Sequence, residues 1–308
     1  MSMNQQQVRV IDPILTSVSQ GYQNAEFVGS VLFPAVPVGV SGGQIIEFGK
    51  ESFKKYNLRR IPGTGTKRIN FGYAGKPFAL VQDALEVPVP REDMRDAQKV
   101  PGINLGTEAA NTGMDIASLA LEIDQATIAR NAANYDSDHK IDKAAAKWTN
   151  NANNPTTDIS VGREAVRQSI GRYPNVALVS ATAFAAAQNN TNVKENFKYT
   201  SSDSITAEML AKLWQVEEVR VGMAVWSDDD GDFTDVWGND VILAYVPKTV
   251  RSRRQPSYGY TYTMEGHPMV EVSYYDNNAK SWIYPVTYER APVLAGMSAG
   301  YLIQNVAG

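Results

Sequence analysis

Few residues in this chain have the types and spacings that chemistry needs. Gly39-Val40-Ser41-Gly42-Gly43 fits the G-x-S-x-G pattern of a serine nucleophile, whose hydroxyl must stand on a sharp turn between a strand and a helix. The stretch that follows, Gln44 to Lys50, reads as a strand, so a Gly/Ser hinge is the simpler account. The two histidines, His139 and His267, could serve a Ser41 hydrolase only by accident of folding, and each reads more simply as a surface or packed residue. Cysteine is absent, which excludes disulfides, thiolate metal sites and cysteine nucleophiles. Asp228-Asp229-Asp230-Gly231-Asp232 suggests calcium. Counting from Asp228, however, Phe233 falls where an EF-hand loop needs Gly, and Asn239 where it needs a bidentate Glu. A solvated acidic turn fits better, with a weak cation site or an intersubunit contact as the alternative. Gly63-Thr64-Gly65 and Gly72-Tyr73-Ala74-Gly75-Lys76 lack the Walker spacing and read as turns. Tyr258, Tyr260, Tyr262, Tyr274 and Tyr275 could stack bases. Their basic neighbours Arg251, Arg253 and Arg254 only precede them, so cross-strand packing is the better account. No catalytic residue, metal ligand or cofactor is assigned.

The elements that would position these residues point elsewhere. The chain has 308 residues, enough for one or two domains and a sizeable core. Lys and Arg total 29 against 33 Asp and Glu, a net charge of −4, which argues against nucleic-acid binding by bulk positive charge. No apolar run has the length of a membrane span, and Met1 to Gln7 is polar, unlike a secretory signal. The expectation is a soluble protein made in a cytoplasm.

Charge is unevenly placed. Residues 1–42 hold few charges and much Gly, Pro and Ser punctuation, as in VLFPAVPVGVSGG, and read as an extended arm. Residues 50–76 carry Lys50, Lys54, Lys55, Arg59, Arg60, Lys67, Arg68 and Lys76 against Glu51 alone. Strand-like runs at 44–53 and 77–89 flank the turn-rich IPGTGTKR, which predicts a long hairpin with a basic tip. Such a hairpin is marginal alone and needs a partner surface. Residues 107–135 are the clearest helix, with Ile116, Leu119, Ala120, Ile123 and Thr127 at helical spacing and Thr112 with Asp115 resembling a capping box. This helix is acidic, with Glu108, Asp115, Glu122 and Asp124 against Arg130. The basic hairpin could be solvated, bind phosphate, or lie on an acidic surface of another copy. Arm, hairpin and acidic rod occurring together favour the last.

Residues 147–160, an Asn/Thr-rich stretch, read as the best internal boundary. Beyond it come a helix at 161–171, a buried strand at 175–181, helices at 182–190 and 206–214, the latter capped by Thr206, and strands at 216–226 and 240–247. The tail from 257 is β-rich.

In this order the parts resemble the major capsid proteins of tailed double-stranded DNA bacteriophages, with the Hong Kong 97 (HK-97) fold. The matching stretches are PILTSVSQGYQNAEFVGSVLFPAVPV (13–38), ITAEMLAKLWQVEEVRVGMAVW (205–226), DVWGNDVILAYVP (235–247) and AGYLIQNV (299–306). The resemblance implies an α+β fold. Residues 1–42 would be an N-terminal arm and 43–95 an E-loop reaching over a neighbouring subunit. Residues 96–155 would be a peripheral domain with a long spine helix, and 156–250 an α/β axial domain. Residues 251–290 would be strands returning to the peripheral domain, and 291–308 a last strand returning to the axial one. It implies a non-enzymatic shell protein forming hexamers and pentamers of an icosahedral head around DNA, assembled in the host cytoplasm. A separate scaffolding protein, a portal and a decoration protein are the implied partners. The expected intersubunit contacts set Lys50, Lys54, Lys55, Arg59, Arg60, Lys67 and Arg68 against Glu108, Asp115, Glu122 and Asp124, with Asp228, Asp229 and Asp230 near the capsomer axis. A same-fold alternative is an encapsulin-like compartment around cargo enzymes.

Overall fold

The computed structural model of the chain describes residues 27–46, 75–97, 104–198, 204–227, 231–248 and 257–308. The tip of the basic hairpin, the first 26 residues and Asp228–Asp230 lie outside them. In chain order the helices are α1 (Gly29–Leu32), α2 (Arg91–Ala97), α3 (Leu105–Arg130), α4 (Pro155–Ile170), α5 (Ala181–Asn189), α6 (Thr191–Phe197) and α7 (Ala207–Trp214). The strands before α4 are β1 (Ala35–Val38), β2 (Gly42–Ile46), β3 (Gly75–Ala79), β4 (Val81–Pro90) and β5 (Lys140–Asp142). After it come β6 (Val176–Ser180), β7 (Glu218–Gly222), β8 (Val225–Ser227), β9 (Phe233–Asp235) and β10 (Val241–Ala244). The tail supplies β11 (Gly259–Met264), β12 (Met269–Val270), β13 (Tyr274–Asp276), β14 (Ser281–Leu294) and β15 (Gly300–Gln304).

Two sheets carry the body. In the first, β14 pairs with β4 along one edge over ten residues, from Ser281 opposite Pro90 to Arg290 opposite Val81. Its other edge takes β11, β12 and β13, and β1 adds in parallel to β11. The second sheet runs β5-β15-β10-β6-β7. Every residue of β6 and β10 is buried, which is why VALVS and VILA read as continuous apolar runs rather than alternating ones. Trp148, Trp214, Trp237 and Tyr258 are buried in a core that also takes in Leu32, Phe33, Ala126 and Ala129. Two small ribbons stand apart from both sheets: β2 with β3, and β8 with β9.

The long helix α3 lies on the first sheet through small residues. Gly106, Ala109, Ala110 and Gly113 are buried. A Cβ on Gly113 would come 2.8 Å from Val286, and one on Gly106 2.9 Å from the Tyr284 hydroxyl, so only glycine lets the helix approach this closely. At 1.5 Å per residue its 26 residues span about 39 Å.

Several expectations are corrected. The helix begins at Leu105, capped by Asn104, whose side chain accepts from the Gly106 and Thr107 amides. Thr112 is no cap and donates to the Glu108 carbonyl at 2.9 Å. Ile116 is 50% exposed, and Ala120 and Thr127 face outward with it. The apolar spacing is therefore right only in part: Leu119 and Ile123 pack against the core, while the seat on the first sheet is made by Met114 and by small residues that carry little hydropathy signal. The Asn/Thr stretch is no boundary. Trp148 is fully buried, β5 already belongs to the second sheet, and Pro155 to Ser160 form the first turns of α4 behind the cap Asn154. The predicted strand at 216–226 is split between β7 and the ribbon strand β8, and the run at 77–89 between β3 and β4. The extended-arm reading fails from Val28 onward, where Val28, Leu32 and Phe33 enter the core. The E-loop reading over 43–95 fails from Val81 onward, because β4 is built into the first sheet.

Candidate assembly interface

Ser41 is exposed and leads into a strand, β2, rather than a helix, and its carbonyl accepts from the Leu80 amide at 2.8 Å. The strand–turn–helix that a nucleophile elbow requires is therefore missing. A different grouping, unnoticed in the sequence, surrounds His139. Its Nδ1 lies 2.6 Å from Asp136 Oδ1 and its Nε2 2.9 Å from Ser169 Oγ. Only the Asp136-x-x-His139 spacing hinted at it. Burial raises the Asp136 carboxyl, but hydrogen bonds from His139 and from the Asp138 and His139 amides outweigh this and hold it below its ordinary value. Ser169 sits in the last turn of α4, an end that presents carbonyls rather than the paired N–H groups an oxyanion needs. The trio thus fastens the loop after α3 to α4. His267 Nδ1 accepts from the Glu289 amide at 3.1 Å, far along the chain from either serine. No cluster of three or more potential metal-ligating side chains occurs among the described residues, and no described helix is long and apolar enough to cross a membrane.

The groups expected to meet neighbours differ in their placement. Lys50, Lys54, Lys55, Arg59, Arg60, Lys67 and Arg68 lie outside the described residues, as do Asp228, Asp229 and Asp230. Glu108 and Asp124 are on the exposed face of α3, and Asp115 is half-buried. Glu122 is corrected: its carboxylate is buried and used within its own subunit. It accepts from the Val28 amide at 2.9 Å, from the Gly29 amide at 2.8 Å and from Trp237 Nε1 at 2.7 Å. Burial raises its pKa, and these three donors oppose the rise.

Glu122 is one of three pins along α3. Arg130 Nε pairs with Asp240 Oδ2 at 2.7 Å and its Nη1 donates to the Val236 carbonyl at 3.0 Å, joining the helix end to the second sheet. Arg290 of β14 is buried, and its Nη1 donates to the Ala117 carbonyl at 2.6 Å. Its Nη2 lies 2.9 Å from Asp83 Oδ2 on β4, and its guanidinium lies over the Tyr288 ring at 4.7 Å. Asp124 is raised by burial, with the Arg290 charge opposing and the Asp83 charge adding. The helix is thereby locked to α1, to both sheets and to β4, the strand that continues from the basic hairpin.

The ribbons are the opposite of locked. Gly42, Gly43 and Gln44 of β2 are exposed, and the pairing of β2 with β3 runs from Gly42 opposite Ala79 to Ile46 opposite Gly75. Phe78 attaches it to the body, stacking on Tyr262 at 4.3 Å between ring centroids and packing against the small cluster of Val36, Tyr260 and Ala295. On the second ribbon, Val225 pairs with Asp235 and Ser227 with Phe233. Period-two alternation then sets Val225 and Phe233 on one face, at 45% and 77% exposure.

No family model matches the sequence. The major capsid protein of Burkholderia phage BcepMu is 35% identical over 308 residues, covering 98% of each chain. A phage-related protein of Bordetella bronchiseptica RB50 is 48% identical, with 97% of this chain and 98% of that one aligned and a TM-score of 0.84. The encapsulin of Synechococcus elongatus shares the fold at 11% identity and a TM-score of 0.56, with 92% of this chain and 88% of that one aligned. A two-sheet body braced by a long helix, with ribbons projecting from it, is thus a shell protein of the HK-97-like capsid fold. Within that class, the chain belongs to the family of phage major capsid proteins. Assembly with copies of itself and a place in the virion follow from that membership.

Proposed function

We propose that this chain builds the hexamers and pentamers of an icosahedral phage head around double-stranded DNA, and that its assembly contacts are structural with no catalytic step. The observation that carries this reading is the β2–β3 ribbon, which pairs with nothing else among the described residues and leads into the most basic stretch of the chain. A two-stranded ribbon is marginal in isolation, so its stabilising contacts come from a neighbouring copy. Of the stretch 43–95 expected as the E-loop, residues 43–80, with the β2–β3 ribbon, act as that loop, and α3 acts as the spine helix. Lys50, Lys54, Lys55, Arg59, Arg60, Lys67 and Arg68 lie along a neighbour's acidic surface, with Glu108, Asp115 and Asp124 of α3 as acceptors. Asp228, Asp229 and Asp230 meet neighbours near the capsomer axis. Oppositely charged surfaces of this kind fix register and partner more than they add affinity. Assembly takes place in the host cytoplasm, with a scaffolding protein, a portal and a decoration protein as further partners.

The test is electron microscopy of the purified chain beside a variant lacking residues 52–74. Closed shells from the full chain and a folded, soluble subunit without shells from the deletion are expected. Normal shells from the deletion would contradict the reading. Particles filled with a cargo enzyme rather than DNA would favour the encapsulin-like alternative.

A further inference from the structure

One cleft on the body has a chemistry that neither sheet packing nor the ribbons require. Helix α4 ends at Gly171, whose φ of 69° turns the chain out of the helix so that Arg172 and Tyr173 are exposed. Tyr173 and Tyr245 line an open cleft of about 550 Å³ with Arg163 and Lys248. Tyr173 has two guanidiniums over its ring, Arg163 at 4.9 Å and Arg167 at 5.9 Å from the centroid, and Arg172 lies 5.4 Å from that of Tyr245.

The other charges nearby are largely neutralised. Arg167 is paired with Glu164, and Lys248 with Glu217 at 2.9 Å. Arg163 and Arg172 are different. Arg163 Nη1 donates to the Gln215 side chain at 3.0 Å and Arg172 Nη1 to the Tyr245 hydroxyl at 2.5 Å. Neither has a carboxylate within ion-pair distance among the described residues, and Arg163 Nε is buried without a hydrogen-bond partner. Two guanidiniums are therefore each anchored beside an aromatic ring by one hydrogen bond to a neutral side chain, with their charge unspent. A planar, oriented, unpaired guanidinium suits a phosphate oxygen pair, because it donates two parallel N–H bonds without further ordering.

We propose that the Arg163–Tyr173 and Arg172–Tyr245 pairs form a phosphate-backbone contact for DNA on this subunit. The proposal rests on the reading that the shell encloses DNA. It also reconciles that reading with a net charge of −4, since the attraction is local instead of spread over the molecule. The contact reads no sequence, as expected of a backbone contact.

The experiment is fluorescence anisotropy of the full-length free subunit with a labelled duplex oligonucleotide and, separately, a single strand of the same sequence, over a series of salt concentrations. Arg172→Gln together with Arg163→Gln should weaken duplex binding about tenfold or more and reduce the log–log salt slope by about 1.8, two phosphates at roughly 0.9 each. The single strand should weaken as well. The variant Arg172→Lys, at an exposed position, keeps the charge but loses the planar guanidinium, and should give a smaller loss with nearly the parental slope. Unchanged duplex affinity and slope in the double variant would overturn the proposal, as would a loss confined to the single strand, which would make base stacking the contact. Shells lost while duplex affinity is kept would also overturn it, making the cleft a contact between copies. Absence of shells from the parent chain would count against the shell reading alone.

Discussion

The second sheet and the β2–β3 ribbon are both β-structure, yet they are held by opposite means. Strands β6 and β10 are paired on both edges and buried on both faces. The ribbon has one pairing among the described residues, exposed glycines, and its hold on the body runs through Phe78, which stacks on Tyr262 and packs against the small Val36–Tyr260–Ala295 cluster. The first region gets its stability from its own chain, through burial at about 25 cal/mol per Å². The second carries Ile45, Ile46 and Phe78 on two strands, too thin a layer to form a core by itself, and depends on what lies against it. A shell subunit needs both: a body that is folded before assembly, and limbs whose order is conditional on neighbours. The three pins on α3 connect the two regimes, because Arg290 ties the helix to β4, two residues beyond the ribbon.

The contrast can be broken most forcefully at the basic tip. Removing residues 52–74 should abolish closed shells while the melting temperature of the free subunit, read by circular dichroism, moves little. A large fall in melting temperature would show that the hairpin stabilises its own body. Next in size is Trp237→Ala. Trp237 is fully buried and donates to Glu122, so the variant should lose about 3–5 kcal/mol in chemical denaturation. Glu122→Ala strands the Val28, Gly29 and Trp237 donors and should cost about 3 kcal/mol.

Glu122 also gives a pH signature. Its folded pKa is raised, so between the ordinary carboxylate value and that raised value the folded state binds more protons than the unfolded one. Stability should therefore fall as pH rises through this window, and Glu122→Gln should flatten that part of the stability–pH curve. Asp136, held low, contributes with the opposite sign, gaining stability as its carboxylate ionises. The smallest effects belong to the ribbons. Phe233→Ser, at a position 77% exposed, should change subunit stability by less than about 0.5 kcal/mol. A single Lys54→Ala should change capsomer stability by less than about 1 kcal/mol, because one exposed ion pair contributes little.

What the sequence made legible follows the same division. Buried strands such as VALVS and VILA, and α7 behind its Thr206 cap, announce themselves because apolar runs and caps are local signals. The seating of α3 was illegible for a physical reason. Beside Met114, its contact with the sheet uses Gly106, Ala109, Ala110 and Gly113, whose value lies in absent side chains; of the apolar stripe, Leu119 and Ile123 pack on the core but the conspicuous Ile116 faces outward. Glu122 looked like one more surface acid on an acidic helix. Nothing local shows that Val28, Gly29 and Trp237, remote in the chain, converge on it. The Asp136–His139–Ser169 trio and the Arg–Tyr cleft depend on the same long-range convergence. Position of the chain in a capsid family was readable only from the order of many weak phrases, since no single motif carries chemistry.

The most direct test compares amide hydrogen exchange in the free subunit and in the assembled shell, following residues 42–46 and 75–79 beside β6 and β10. The ribbon amides should exchange rapidly in the subunit and at least about tenfold more slowly on assembly, with β6 and β10 strongly protected in both. Ribbon amides equally protected before and after assembly would contradict that expectation, because the limb would then be ordered by its own body and not by its neighbours.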